Sequence, residues 1–229
     1  MPDTSKKRPG GARSKSDRLE ATRTKVLEAA LPNVAFDGWT PRLLREASET
    51  AGVSHGEMRL AFPDGILDLV DFFLEDGDRR MEEALAGQDL AAMKIRERIT
   101  LAVRTRIEVD LHAREAMRRA ITMFALPTSG TRGPHSLYRT VDAIWRAAGD
   151  TSTDFNFYTK RATLAGVFSS VTLYWFADDS ENYARTWAFL DRRIEDVMRF
   201  EKAKAGVKNI ASRLPDPFAL LGRLRYGKG

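Results

Sequence analysis

The chain contains no cysteine. That excludes disulfides, thiolate metal sites and thiol nucleophiles, and it permits a reducing compartment. Histidine is nearly as scarce: His55, His112 and His135 stand far apart, and none falls in an HxxxH or HExxH spacing. With no visible grouping of nucleophile, base and metal ligand, the expectation is a protein that is not an enzyme and holds no metal. No apolar run approaches the ~18 to 20 residues that a helical membrane span needs. Strand-like alternation and internal repeats are also missing. The amino-terminal "MPDTSKKRPGGARSKSD" is basic, yet no apolar stretch follows it, so it does not read as a secretory signal.

What is present points to helices. The chain has 229 residues, 43% of them hydrophobic, enough to bury one sizeable core or two smaller ones that share an interface. The net charge of +5 is unevenly spread. Residues 1–16 carry +4 and residues 199–229 carry +6, which leaves the body from 17 to 198 at −5. Two basic ends on an acidic body suit either an anionic surface or solvated tails.

The hydrophobic period is helical nearly throughout, so the expected fold class is all-α. Residues 1–16 have no apolar anchor and are expected to form a disordered basic tail. Asp17, with Glu20 three places on, forms a capping box for a first helix ending near Gly38. Thr40–Pro41 opens a second helix and Ser54, with Glu57, a third. Pro63 closes that helix at Phe62. A longer helix follows through Ile66, Leu69, Val70, Phe73 and Met81. Further helices are expected at about 89–110, 113–126 and 135–148, then from near Ser152, and a last one after Ser180. The domain boundaries read as 17–62 for a helix-turn-helix-like unit, 63–204 for a helical domain and 205–229 for an amphipathic basic segment.

The segment "TPRLLREASETAGVSHGEMRLAF" resembles the amino-terminal domain of TetR-type repressors, with "AGVS" as the turn of a helix-turn-helix. Its charge argues against DNA. Duplex binding relies on Lys and Arg neutralising phosphates, whereas residues 17–60 hold six basic groups against seven acidic ones and residues 61–85 hold two against eight. The expectation is a repressor-like fold without a nucleic-acid ligand. A TetR-type transcriptional regulator is the alternative.

The stretch "GDTSTDFNFYTKRATLAGVF" places Phe155, Tyr158, Ala162 and Ala165 on one side of a helix. Phe157, Arg161, Leu164, Phe168 and Trp175 fall on another. A globular helix buries one stripe. Two apolar sides therefore imply the domain core plus a second subunit, a ligand cavity or another protein.

"RTVDAIWRAAGDTSTDFNFYTKRATLAGVF", followed by "TWAFLDRRIEDVM", resembles the carboxy-terminal signature of the coenzyme Q (ubiquinone) biosynthesis accessory family, Coq protein nine. The resemblance covers residues 139–198 densely, and members of that family have a TetR-like fold. It implies a non-enzymatic protein that holds an isoprenoid quinone precursor or a phospholipid, needs no cofactor and binds the membrane surface. It also implies presentation of the lipid to a quinone-ring hydroxylase, commonly the di-iron one. Carried over residue by residue, its partner-facing patch comprises Asp142, Ile144, Trp145, Asp154, Asn156, Phe157, Tyr158 and Arg161. Position 157 is Trp in some relatives; Phe keeps the apolar area and loses the indole donor.

A long-tailed ligand needs a dry channel. Its expected lining is Ile99, Val103, Ile107, Phe124, Leu164, Phe168, Val171, Trp175, Trp187 and Leu190, where helices 89–126 face helices 152–200. From Pro217 onward a short amphipathic helix would lay Phe218, Leu221 and Leu224 into the headgroup region, with Arg223 and Arg225 at its rim. The expected location is cytoplasmic, peripheral to the inner membrane. The stripe from 183 to 197 also permits a homodimer.

Overall fold

In the computed structural model, the described residues are 10–149 and 155–211, with side chains described for 15–149 and 158–199. Every regular element among them is helical. The chain divides into two compact units, Met1–Ala177 and Asp178–Gly229.

The first unit opens with α1 (Gly10–Asp37), α2 (Pro41–Thr50) and α3 (His55–Ala61). Val26, Ala30 and Val34 of α1 have no exposed surface, and they pack with Leu43, Leu44 and Ala47 of α2. Each valine or leucine buried in this way contributes about 1.5–3 kcal/mol of transfer free energy. Thr40 caps α2 by accepting from the Leu43 amide at 3.2 Å, with Pro41 at the first helical position. Ser54 and Glu57 form the expected capping box of α3. The Ser54 hydroxyl also donates to the Glu57 carboxylate, holding its pKa below the usual range.

One boundary differs from expectation. Helix α1 begins at Gly10, so Asp17 is interior to it and residues 10–16 are helical rather than part of a tail. Once the buried turns from Val26 onward are nucleated, extending a helix backwards adds one hydrogen bond per residue fixed.

Five further α-helices follow in the unit: α4 (Ile66–Ala86), α5 (Ile95–Glu108), α6 (Arg114–Phe124), α7 (Arg132–Ala147) and α8 (Phe155–Ala177). Leu69, Val70, Phe73 and Met81 form the buried face of α4, which packs on α5 and α7. Trp39, between α1 and α2, ties them to α6 and α4. Its indole Nε1 donates to the Ala116 carbonyl at 3.0 Å, and its ring lies 5.4 Å from that of Phe73. Arg132 holds the start of α7 against α4 through Asp64, Asp68 and Asp71.

In the second unit, α9 (Ala184–Ala211) runs past the boundary expected near residue 204. Its start is organised by Asp178, which accepts from the Ser180 and Thr186 hydroxyls at 2.6 Å each and from both backbone amides. Burial pushes the Asp178 pKa up, but the donors from Ser180 and Thr186 outweigh it and hold the group well below the usual carboxylate range.

Candidate functional site

A cavity of about 370 Å³ lies between α6, α7 and α8. Helix α6 contributes Met117, Ile121 and Phe124, and α8 contributes Phe168, Ser169, Thr172 and Leu173. The third wall is the stripe of α7 at 133, 136, 137 and 140, the spacing that lines up one face of a helix. Small residues let α7 approach α6: a Cβ on Gly133 would stand 2.4 Å from the Phe124 carbonyl oxygen, so nothing larger fits there. Ala125, Pro134 and Leu173 are exposed, while Leu74, Arg106, Met117, Phe124, Ser136, Thr140, Phe168 and Thr172 are buried.

Arg106 is the charged residue among them. Its side chain is 1% exposed. Its Nε donates to Asp78 at 2.7 Å, its Nη1 to Asp110 at 2.5 Å and its Nη2 to the Leu74 carbonyl at 3.1 Å. Arg80 joins Asp76 to Asp110, and Arg139 reaches Asp78. Burial works against the Arg106 charge, but Asp110 and Asp78 more than compensate and raise its pKa. The guanidinium lies flat on α4 because Gly77 has no side chain: a Cβ there would be 2.6 Å from its central carbon.

Of the ten expected lipid-contacting residues, the cavity uses Phe124 and Phe168. Ile99, Val103, Ile107, Leu164, Val171 and Trp175 are buried but do not line it. They pack as core, while α5 contributes Arg106 to the lining and α7 its stripe from 133 to 140. Trp187 is half-buried and Leu190 buried, both within the second unit. Gly133 and Pro134 were missed in sequence because "PTSGTRGP" reads as a breaker, whereas Ser136, Leu137 and Thr140 fall in the helix expected at about 135–148 but were not assigned to a cavity. Their signal was the small and apolar stripe at helical spacing that follows it.

Helix α8 shows which of its sides serves the core. Arg161, Leu164, Phe168, Val171 and Trp175 are buried, whereas Tyr158 is 68% and Leu173 59% exposed. The expected partner-facing set accordingly divides. Tyr158 is at the surface, and Asp142 and Trp145 are half-buried. Ile144 is fully buried and Arg161 nearly so, its Nε donating to Asp142 at 2.8 Å. Those two support the surface from beneath instead of forming it, since a buried guanidinium needs its carboxylate. Lys160 places its ammonium 5.4 Å from the Trp145 ring centre, a cation–π contact. Asp154 and the side chains of Asn156 and Phe157 lie outside the described residues, as do Phe218, Leu221, Arg223, Leu224 and Arg225.

Residues 131–201 match the model of the COQ9 family. Over 202 residues, 85% of the chain is 31% identical to the ubiquinone biosynthesis protein COQ9, mitochondrial, of Rattus norvegicus, covering 64% of that protein. The corresponding Homo sapiens protein is 29% identical over 85% of the chain and 63% of its own length. The chain is therefore similar to COQ9 proteins over most of its length and to the COQ9 family model over residues 131–201. It spans a little under two thirds of the length of these curated relatives. Among solved structures, a TetR transcriptional regulator from Nitrosomonas europaea aligns with a TM-score of 0.62. It is 21% identical and covers 76% of this chain and 97% of that one, which makes the fold TetR-like. The COQ9 segment starts at α7, so it supplies the α7 and α8 walls of the cavity and the Asp142–Arg161 pair.

Proposed function

We propose that the chain is a non-enzymatic lipid-binding accessory protein of ubiquinone biosynthesis. In this reading it holds an isoprenoid quinone precursor in the cavity between α6, α7 and α8, associates peripherally with the inner membrane and presents the lipid to a quinone-ring hydroxylase. The observation that carries the reading is the cavity itself, within the range of volumes that small ligands occupy and walled mainly by apolar side chains. The names of the COQ9 relatives supply the pathway. No described helix is long and apolar enough to cross a membrane, which fits attachment from one side. A DNA-binding regulator shares the fold, but the acidic excess in residues 17–85 works against phosphate contacts.

Organic extraction of the purified protein, followed by mass spectrometry, tests the reading. Prenylated aromatic lipids in the extract are expected. An empty protein that instead retains a specific duplex in a salt-sensitive manner would replace this function with the regulatory one. For the membrane role, deleting residues 207–229, which carry a surplus of Lys and Arg, should reduce sedimentation with anionic liposomes. Unchanged sedimentation would remove that segment from membrane attachment.

A further inference from the structure

Helix α4, with Asp64 just ahead of it, carries an acidic stripe. Asp64, Asp68, Asp71, Glu75, Asp78 and Glu82 follow at steps of 4, 3, 4, 3 and 4, the spacing of one helix side. Arginines of α7 meet this stripe at steps of 7. Arg132 pairs with Asp64, Asp68 and Asp71, Arg139 with Asp78 at 3.3 Å, and Arg146 with Glu82 at 3.4 Å. The acidic excess of residues 61–85 is therefore mostly answered from within the fold. Among the described residues, Glu75 is the one member of the stripe with no arginine on it.

Glu75 lines a groove of about 350 Å³ between α1, α4 and α7. Glu20 lines it from α1, likewise exposed and without an ion pair. The arginines of the groove are already engaged: Arg23 by the Ala61 carbonyl, Arg79 by Asp76 and Glu83, and Arg146 by Asp142 as well as Glu82. What remains is negative charge beside the apolar side chains of Leu19, Phe72 and Ala143. A cation on an aliphatic stem matches both.

The chain carries such side chains next to the groove. Lys6, Lys7 and Arg8 belong to residues 1–9, outside the described residues and directly ahead of α1. Gly10 and Glu20 stand about 15 Å apart along the helix. The four residues from Lys6 to Gly10 span about 13 Å when extended. With its own side chain added, Lys6 reaches Glu20 once the segment turns back, and Pro9 before Gly10 is turn chemistry at that point.

We propose that residues 1–9 dock in the groove between α1, α4 and α7, where Lys6, Lys7 and Arg8 complete the ion-pair ladder at Glu75 and Glu20. Exposed ion pairs are individually weak, but the tether holds the segment at an effective concentration in the millimolar range. The docked state is therefore populated and reversible, and an anionic membrane, with many more charges than two carboxylates, draws the segment off. This goes beyond the lipid-binding reading and does not depend on it.

The absence of cysteine allows two spin labels on the full chain, at Ser5→Cys and Ala86→Cys, with their separation read by double electron–electron resonance. At low ionic strength a narrow short-distance population is expected. Glu20→Lys with Glu75→Lys should lower it about threefold or more, as should 0.5 M salt, on the order of what screening leaves of exposed pairs. Combining that reversal with Lys6→Glu, Lys7→Glu and Arg8→Glu should restore it. Vesicles containing phosphatidylglycerol should abolish it, and vesicles of phosphatidylcholine alone should not. A distribution that ignores the charge reversal, or that the swapped charges fail to restore, overturns the docking. Retention on phosphatidylglycerol vesicles overturns the release. Should the Glu20 and Glu75 variant unfold, the reversal of Lys6, Lys7 and Arg8 alone decides, with an unchanged distribution again overturning the docking.

Discussion

Tyr158 and Arg161 sit three residues apart on α8 and face opposite requirements. Tyr158 is exposed, so Tyr158→Lys should change stability by less than about 0.5 kcal/mol. Arg161 is 4% exposed and paired with Asp142, so Arg161→Met should cost about 1–3 kcal/mol by removing the nearer partner of that carboxylate, which keeps only Arg146 at 3.3 Å. Urea denaturation of the two variants measures the difference. If the surface around Tyr158 receives the hydroxylase, Tyr158→Lys should also abolish hydroxylase capture while remaining folded. Capture at the unsubstituted level would move the docking site elsewhere. The separation of the two sides was legible in sequence, because the 161, 164, 168, 175 spacing defines one stripe. What the sequence did not convey was the depth of Arg161 and Ile144. Depth depends on how closely α7 approaches α8, and residue spacing along one helix does not encode it.

Among the elements, α4 and α5 are joined by a contact that only a glycine allows. Gly77→Ala would place a methyl 2.6 Å from the Arg106 guanidinium and displace it from Asp78 and Asp110. The expected loss is about 2–4 kcal/mol, from steric strain together with a broken buried ion pair. Gly87→Ala, at the end of the same helix with nothing within 4 Å, should stay within about 0.5 kcal/mol. Thermal unfolding of the pair checks this, and equal melting temperatures would contradict the packing described. Helix starts were readable wherever a side chain makes the cap, as at Thr40 and Ser54. They were not readable at α1, which begins at Gly10, nor at α5, whose Ile95 start follows a short turn at Leu90–Ala92. The cavity escaped for a related reason. It forms where three helices fail to close, and the residues that hold them apart or let them meet, Gly133 and Arg106, carry no apolar periodicity.

At the scale of the whole molecule, a TetR-like scaffold carries an acidic excess where a repressor needs cations, and an apolar cavity in its larger unit. The central claim is that this cavity holds a prenylated lipid. Ser169 lines it and is half-buried, so Ser169→Trp adds an indole to the ligand space without removing a core side chain. The most direct measurement is the molar ratio of extracted prenylated lipid to protein, compared between the unsubstituted chain and folded Ser169→Trp. The account predicts a substantial fraction of a lipid per chain in the first and a loss of severalfold or more in the second. Equal lipid content in both, or no lipid in either, would contradict it.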